Sequence, residues 1–184
     1  MYKDTITLFN RKEGDAGDTW YPTVLRNVQL NMDRAAIMAK YGAESADNAV
    51  LHVRYSTRKK TENAGLLSSD GYLLKSADGL VLYAMPTARE MPITIKEVGG
   101  KQWFSPKEWD ALPAHDKAIT FTTGTQFDFF WLGDWGSEEP VHDSDYLAYG
   151  DFYSYMNQKH DYVFAISSVG GPYSVIPHFE IMGK

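Results

Sequence analysis

Side chains able to hold a cation crowd between positions 134 and 145: Asp134, Glu138, Glu139, His142, Asp143 and Asp145. Oxygen-rich sets of this kind suit calcium or magnesium. Asp143 and Asp145 match the first two ligands of an EF-hand loop, but the glycine and the glutamate that such a loop needs further on are missing. A solvated acidic loop running into a helix N-terminus explains the same residues, because carboxylates are favourable there. Asp128 and Asp134 flank Trp131 in an aromatic run, Phe127-Asp128-Phe129-Phe130-Trp131. Paired carboxylates beside aromatic rings suit glycoside hydrolysis. Both faces of that run are largely apolar, however, which predicts a buried central strand. Ser167-Ser168-Val169-Gly170-Gly171 places serine near glycine but lacks the Gly-x-Ser-x-Gly spacing, and its flanks read strand, turn, strand. His52, His115, His142, His160 and His178 are scattered. Gly99-Gly100 and Gly170-Gly171 are isolated pairs with no phosphate-binding pattern around them. The sequence thus assigns no catalytic residue, no cofactor and no metal ligand.

The elements that would position these residues are mostly strands. The chain has 184 residues, is 43% hydrophobic and carries 12 Tyr, 9 Phe and 5 Trp. That composition predicts one globular domain over 1–184 with a large aromatic core. Cysteine is absent, which removes disulfides, thiolate metal sites and thiol nucleophiles and fits a reducing compartment. No apolar run is long enough for a signal peptide or a membrane span. A formal net charge of -6 argues against non-specific nucleic-acid binding, which needs basic residues to neutralise phosphates.

Thr5 to Leu8 alternates, with Ile6 and Leu8 on one face; a turn cluster at 14–18 follows, and Trp20, Pro22, Val24, Val28, Leu30 and Met32 then share a face that Arg26 interrupts. Ala35 to Tyr41 reads equally as helix or strand, and 42–48 as a loop. Val50 to Tyr55 is a strand with Leu51, Val53 and Tyr55 inward and His52 and Arg54 outward. Residues 56–85 read as an inserted ribbon or long loop. It contains Asp70-Gly71 and Asp78-Gly79, each a turn signal followed by an apolar run. Ile93 to Phe104 is a hairpin about Gly99-Gly100. Ser105-Pro106-Lys107-Glu108 has the marks of a capped helix start, stopped by Pro113. Ile119–Thr123 and Phe127–Leu132 are strands. Tyr146, Tyr149, Phe152, Tyr153 and Met156 recur at helical spacing, with Asp143 or Ser144 as the cap. Two strands across Gly170-Gly171-Pro172 complete the chain. The fold class expected is mainly β: an antiparallel barrel or sandwich with one or two short helices and a projecting ribbon at 56–85.

The opening stretch, Thr5-Ile6-Thr7-Leu8-Phe9-Asn10-Arg11 followed by Thr19-Trp20-Tyr21-Pro22-Thr23-Val24-Leu25, resembles the start of minor-capsid and head–tail joining proteins of tailed phages and prophages of Gram-positive bacteria. Pro106-Lys107-Glu108-Trp109 is similar to a step before their last strands. The likeness covers about a third of the chain; the 56–85 insertion and the aromatic part from Phe127 onward depart from the small members. The resemblance implies a β-barrel-like core, loops reaching neighbouring subunits, a ring joining head to tail, and no reaction or cofactor. Its partners would be other virion proteins, portal or adaptor or tail components, with passive contact to passing DNA. Its place would be the host cytoplasm during assembly and then the virion.

On this reading the contact residues are Arg58, Lys59, Lys60, Leu66, Leu67, Tyr72, Leu73 and Leu74 of the ribbon. The acidic segment would repel DNA phosphates so that DNA slides past. Two alternatives stand beside it: a small carbohydrate- or protein-binding module, which the Trp and Tyr content motivates, and a hydrolase using Asp128, Asp134 and His142.

Overall fold

The computed structural model describes residues 2–32, 49–60, 73–75, 81–83, 93–124 and 127–184. The first hairpin is β1 (Asp4–Lys12) and β2 (Thr19–Met32), followed by β3 (Ala49–Arg54). β1 then pairs with β10 (Phe129–Trp131), β10 with β12 (Val163–Tyr173), and β12 with β13 (His178–Gly183). β13 pairs with β3, β3 with β2, and β2 returns to β1. The result is a closed antiparallel barrel of six strands. Closure gives each of the six strands a neighbour on both sides, so none of them is an edge strand.

Period-2 alternation fills the interior. Ile6 and Leu8 of β1, Leu51 and Val53 of β3, Phe130, Phe164, Phe179 and Ile181 are all buried in one cluster. The rings of Phe130 and Phe164 stack with their centroids 5.2 Å apart. Gly183 leaves room for them, since a Cβ there would sit 2.7 Å from Phe164 Cβ and 2.8 Å from Phe130 Cε1. In β1, β10 and β12 the alternate residues point outward, and several of these are also buried. Phe9, Phe129 and Val163 pack with Trp20 under Phe152 and Met156 of a covering helix, α3 (Phe152–Lys159). The aromatic strand read as buried on both faces is therefore β10, with Phe130 inside the barrel and Phe129 beneath the helix.

The inward set in β2 changes phase, contrary to the simple alternation. Leu25 is fully buried where Val24 was expected, and Arg26 is exposed. The cause is a bulge: register slips between Asp4 and Thr5, and Asn27 opposite adopts φ 57. The extra residue turns the strand so that Val28 points inward again.

A second sheet has the order β4 (Ser56–Lys60), β7 (Ile93–Val98), β8 (Lys101–Trp103) and β9 (Thr120–Phe121). Its Val98 and Phe121 join the barrel core, and Trp103 lies 5.2 Å from the Phe179 ring. β4, at the start of the segment read as an insertion, belongs to this sheet. β5 (Leu73–Lys75) and β6 (Val81–Tyr83) pair with each other, and they fall in the two apolar runs that follow the Asp-Gly pairs in sequence. Residues 33–48, and the rest of the insertion apart from β4, β5 and β6, lie outside the described residues.

Helix α1 (Pro106–Asp110) starts at Ser105 with the expected capping box, and α2 (Ala114–Ile119) follows Pro113. The helix expected from Tyr146 to Met156 is two pieces. A 3-10 helix, Asp143–Tyr149, ends at Gly150 with φ 98, and α3 begins after Asp151, which accepts a hydrogen bond from the Ser154 N–H at 2.6 Å. The helical spacing was real, but glycine at φ 98 breaks the path. The last turn is also displaced: Gly170 to Pro172 lie within β12, and the chain reverses at 174–177.

Replacing Phe130 by alanine opens a cavity where the barrel is tightest. It should lower unfolding free energy by about 3–5 kcal/mol in urea melts; a loss under about 1 kcal/mol would contradict the packing described.

Candidate functional site

The β12–β13 hairpin leaves the barrel as an exposed tip. Every residue from Gly171 to Pro177 is exposed, including Tyr173 at 43%, Val175 at 96% and Ile176 at 61%. Three large apolar side chains at one turn are unusual for a surface with nothing to touch. The tip is tethered at its base. Tyr55 donates its hydroxyl to the Tyr173 carbonyl at 2.6 Å, and its N–H to the Pro177 carbonyl at 3.2 Å.

Directly below the tip, three polar side chains meet on the outer face of the barrel. β13 buries Phe179 and Ile181, so His178 and Glu180 point out; β3 buries Leu51 and Val53, so His52 points out. The register sets His52 opposite Glu180. Glu180 Oε1 lies 3.7 Å from His52 Nδ1 and 3.5 Å from His178 Nε2. Among the described residues this is the group from which a metal ion would draw its ligands. Sequence reading left these histidines scattered, because His52 is joined to the other two residues only by strand pairing. The His178-x-Glu180 spacing on a strand was the available signal.

The acidic segment is organised by structure more than by solvent. Asp143 accepts from the Trp20 indole N–H at 2.7 Å, the Phe152 N–H at 3.1 Å and the Asp18 N–H at 3.2 Å. It thereby fixes the covering helix to β2. Asp134 binds Arg26 at 2.6 Å and the Gly136 N–H at 2.9 Å. The Gly136 N–H, then the Arg26 guanidinium, hold its carboxyl below the ordinary range. Glu139 and Asp145 are exposed.

The residues of the hydrolase alternative are engaged separately. Asp128, fully buried, accepts from Asn10 Nδ2 at 2.7 Å and the Arg11 N–H at 2.8 Å. Asp134 is held by Arg26, and His142 Nδ1 lies 3.1 Å from Thr19 Oγ1. The Trp content also serves the interior: Trp20 and Trp109 are buried, and Trp103, Trp131 and Trp135 are half-buried. Ser167 to Gly171 lie in β12, not in a turn.

Of the expected contact residues, Arg58 lies in β4 and pairs across the sheet with Glu97, at 2.6 Å from Nη2 and 3.2 Å from Nε to the same Oε1. Lys59 and Lys60 pair through their backbones with Thr94 and Ile93. Leu73 and Leu74 lie in β5 opposite Tyr83 and Leu82. Leu66, Leu67 and Tyr72 lie outside the described residues. Among the described residues no helix is long and apolar enough to cross a membrane. Comparison with known protein families, curated proteins and solved structures gives no match to this chain.

Two measurements test this account. Asp143→Ala strands the Trp20 indole N–H and should cost about 2–4 kcal/mol of stability, whereas Glu139→Ala should change it by under about 0.5 kcal/mol. Hydrogen bonding to Arg58 holds Glu97 below its ordinary range. A depressed carboxyl contributes stability above its ordinary value and loses that contribution as pH falls through the depressed one. Acid titration of Glu97→Gln should therefore show a shallower loss of stability at low pH than the parent chain; equal slopes would remove the pair's contribution.

Proposed function

We propose that the chain is a non-enzymatic structural subunit of a tailed phage or prophage particle, acting in a ring at the junction of head and tail. The observation that carries this reading is the hairpin tip, where Tyr173, Val175 and Ile176 stand in solvent on a tethered base. A surface of that kind suits a protein neighbour. The reading also draws on the resemblance of the opening stretch, whose residues form the adjacent barrel strands β1 and β2. A closed barrel is a stiff hub from which a hairpin can reach another subunit at little cost in ordering.

In this role the tip contacts a neighbouring virion protein, a second copy in the ring or a portal, adaptor or tail component. Arg58, Lys59, Lys60, Leu73 and Leu74 offer a second contact from the insertion. The exposed carboxylates Glu139 and Asp145 would keep passing DNA from adhering. The protein would reside in the host cytoplasm during assembly and then in the virion.

The test is native mass spectrometry of the chain mixed with portal, adaptor and tail proteins encoded beside it. The parent chain should enter a multi-copy complex. The double variant Val175→Asp, Ile176→Asp should bind at least about tenfold more weakly while its melting temperature stays within about 2 °C, as expected for fully exposed positions. Unchanged binding by the variant would remove the tip as the contact. A parent chain that joins no head or tail component would remove the role.

A further inference from the structure

We infer that His52, His178 and Glu180 form a binding site for a divalent cation of the zinc class, with water completing its coordination. The donor atoms of the three residues lie within 4.8 Å of one another. In a tetrahedral zinc site with bonds of about 2.0–2.1 Å, neighbouring ligand atoms are about 3.3 Å apart. The two edges to Glu180 Oε1 are 3.5 and 3.7 Å, so small side-chain rotations close the set on an ion.

The environment of His178 supports the assignment independently. Its Nδ1 lies 2.6 Å from the Ile176 carbonyl oxygen. A carbonyl only accepts, so Nδ1 carries a proton, and Nε2 is the ring nitrogen turned toward Glu180. A metal-binding histidine is held in this way, its other ring nitrogen donating to a carbonyl. Tyr173 stacks on the same ring, 4.8 Å between centroids at 28°, and fixes its plane. The side chains of His52, His178 and Glu180 are 22%, 19% and 30% exposed, which leaves an opening for water.

Arg54 lies opposite His178 in the sheet. The Arg54 guanidinium is turned onto the Tyr2 ring, 4.0 Å from its centroid. Two nitrogens and one oxygen suit zinc, cobalt and nickel; calcium and magnesium prefer oxygen alone. The ion would bind β3 to β13 immediately below the exposed tip and stiffen the hairpin's base.

The chain has no cysteine, so thiols cannot confuse the experiment. Tag-free protein is titrated with cobalt, followed by visible absorption, and with zinc by calorimetry. One equivalent should bind, with dissociation constant below about 10 μM. Zinc at a hundredfold excess over that constant should raise the melting temperature by about 5 °C. His52→Ala, His178→Ala and Glu180→Gln should each weaken binding at least tenfold and abolish the rise. The double variant His115→Ala, His142→Ala should bind as the parent does. Glu180→Gln keeps the shape of the side chain, so it decides the matter even if an alanine variant fails to fold. Binding weaker than about 100 μM, or undiminished in Glu180→Gln, or lost in the His115, His142 variant, would overturn the site.

Discussion

The fold depends on strands that must bury both faces at once. β1 sends Ile6 and Leu8 into the barrel and Phe9 outward beneath the covering helix, and β10 does the same with Phe130 and Phe129. A strand open to water on one side would need a polar outer face, and these have aromatic ones. The barrel therefore requires its helix, and the helix is fixed by one carboxylate, Asp143, which joins Trp20 on β2 to the first N–H of α3. Buried polar groups work in the same direction. Asn10 and Asp128 join β1 to the segment before β10, and Asn10 also binds both N–H and carbonyl of Thr122. Each is satisfied only in this one arrangement, so they select the register as well as stabilise it.

Much of this was legible because it is local. Alternation at 5–8 and 50–55, the capping box at Ser105 and the turn at Gly99-Gly100 are written in neighbouring residues, and the structure has them where they were expected. What misled was also local in origin but global in cause. The bulge at Asn27 answers to the pairing partner of β2, which no window of sequence contains. The last helix divides at Gly150, φ 98, and Asp143 at the start of its first piece is held by Trp20 and Asp18 from across the fold. The final turn falls at 174–177 because β13 must align with β3 as well as with β12.

The candidate site shows the same boundary. Exposed aliphatic residues at 175 and 176 cannot be told from core residues by type alone. The grouping of His52 with His178 and Glu180 depends on a pairing between strands distant in sequence. The acidic cluster, conspicuous as a run of letters, resolves into a structural carboxylate at 143, ion-paired ones at 134 and 138, and two further exposed ones at 139 and 145. Density of charge along a chain reports little about which groups converge in space.

Sheet margins bear on how such a molecule stays separate until it is used. Six strands close on themselves, and β11 (Val141–His142), which adds to β2, is only two residues long. Among the described residues the longer outer strand is β4, which begins Ser56-Thr57-Arg58-Lys59-Lys60. Basic residues in an outer strand discourage another backbone from zipping onto it. Two copies of such a chain are thus denied the least selective route to polymerisation, backbone pairing between sheet margins.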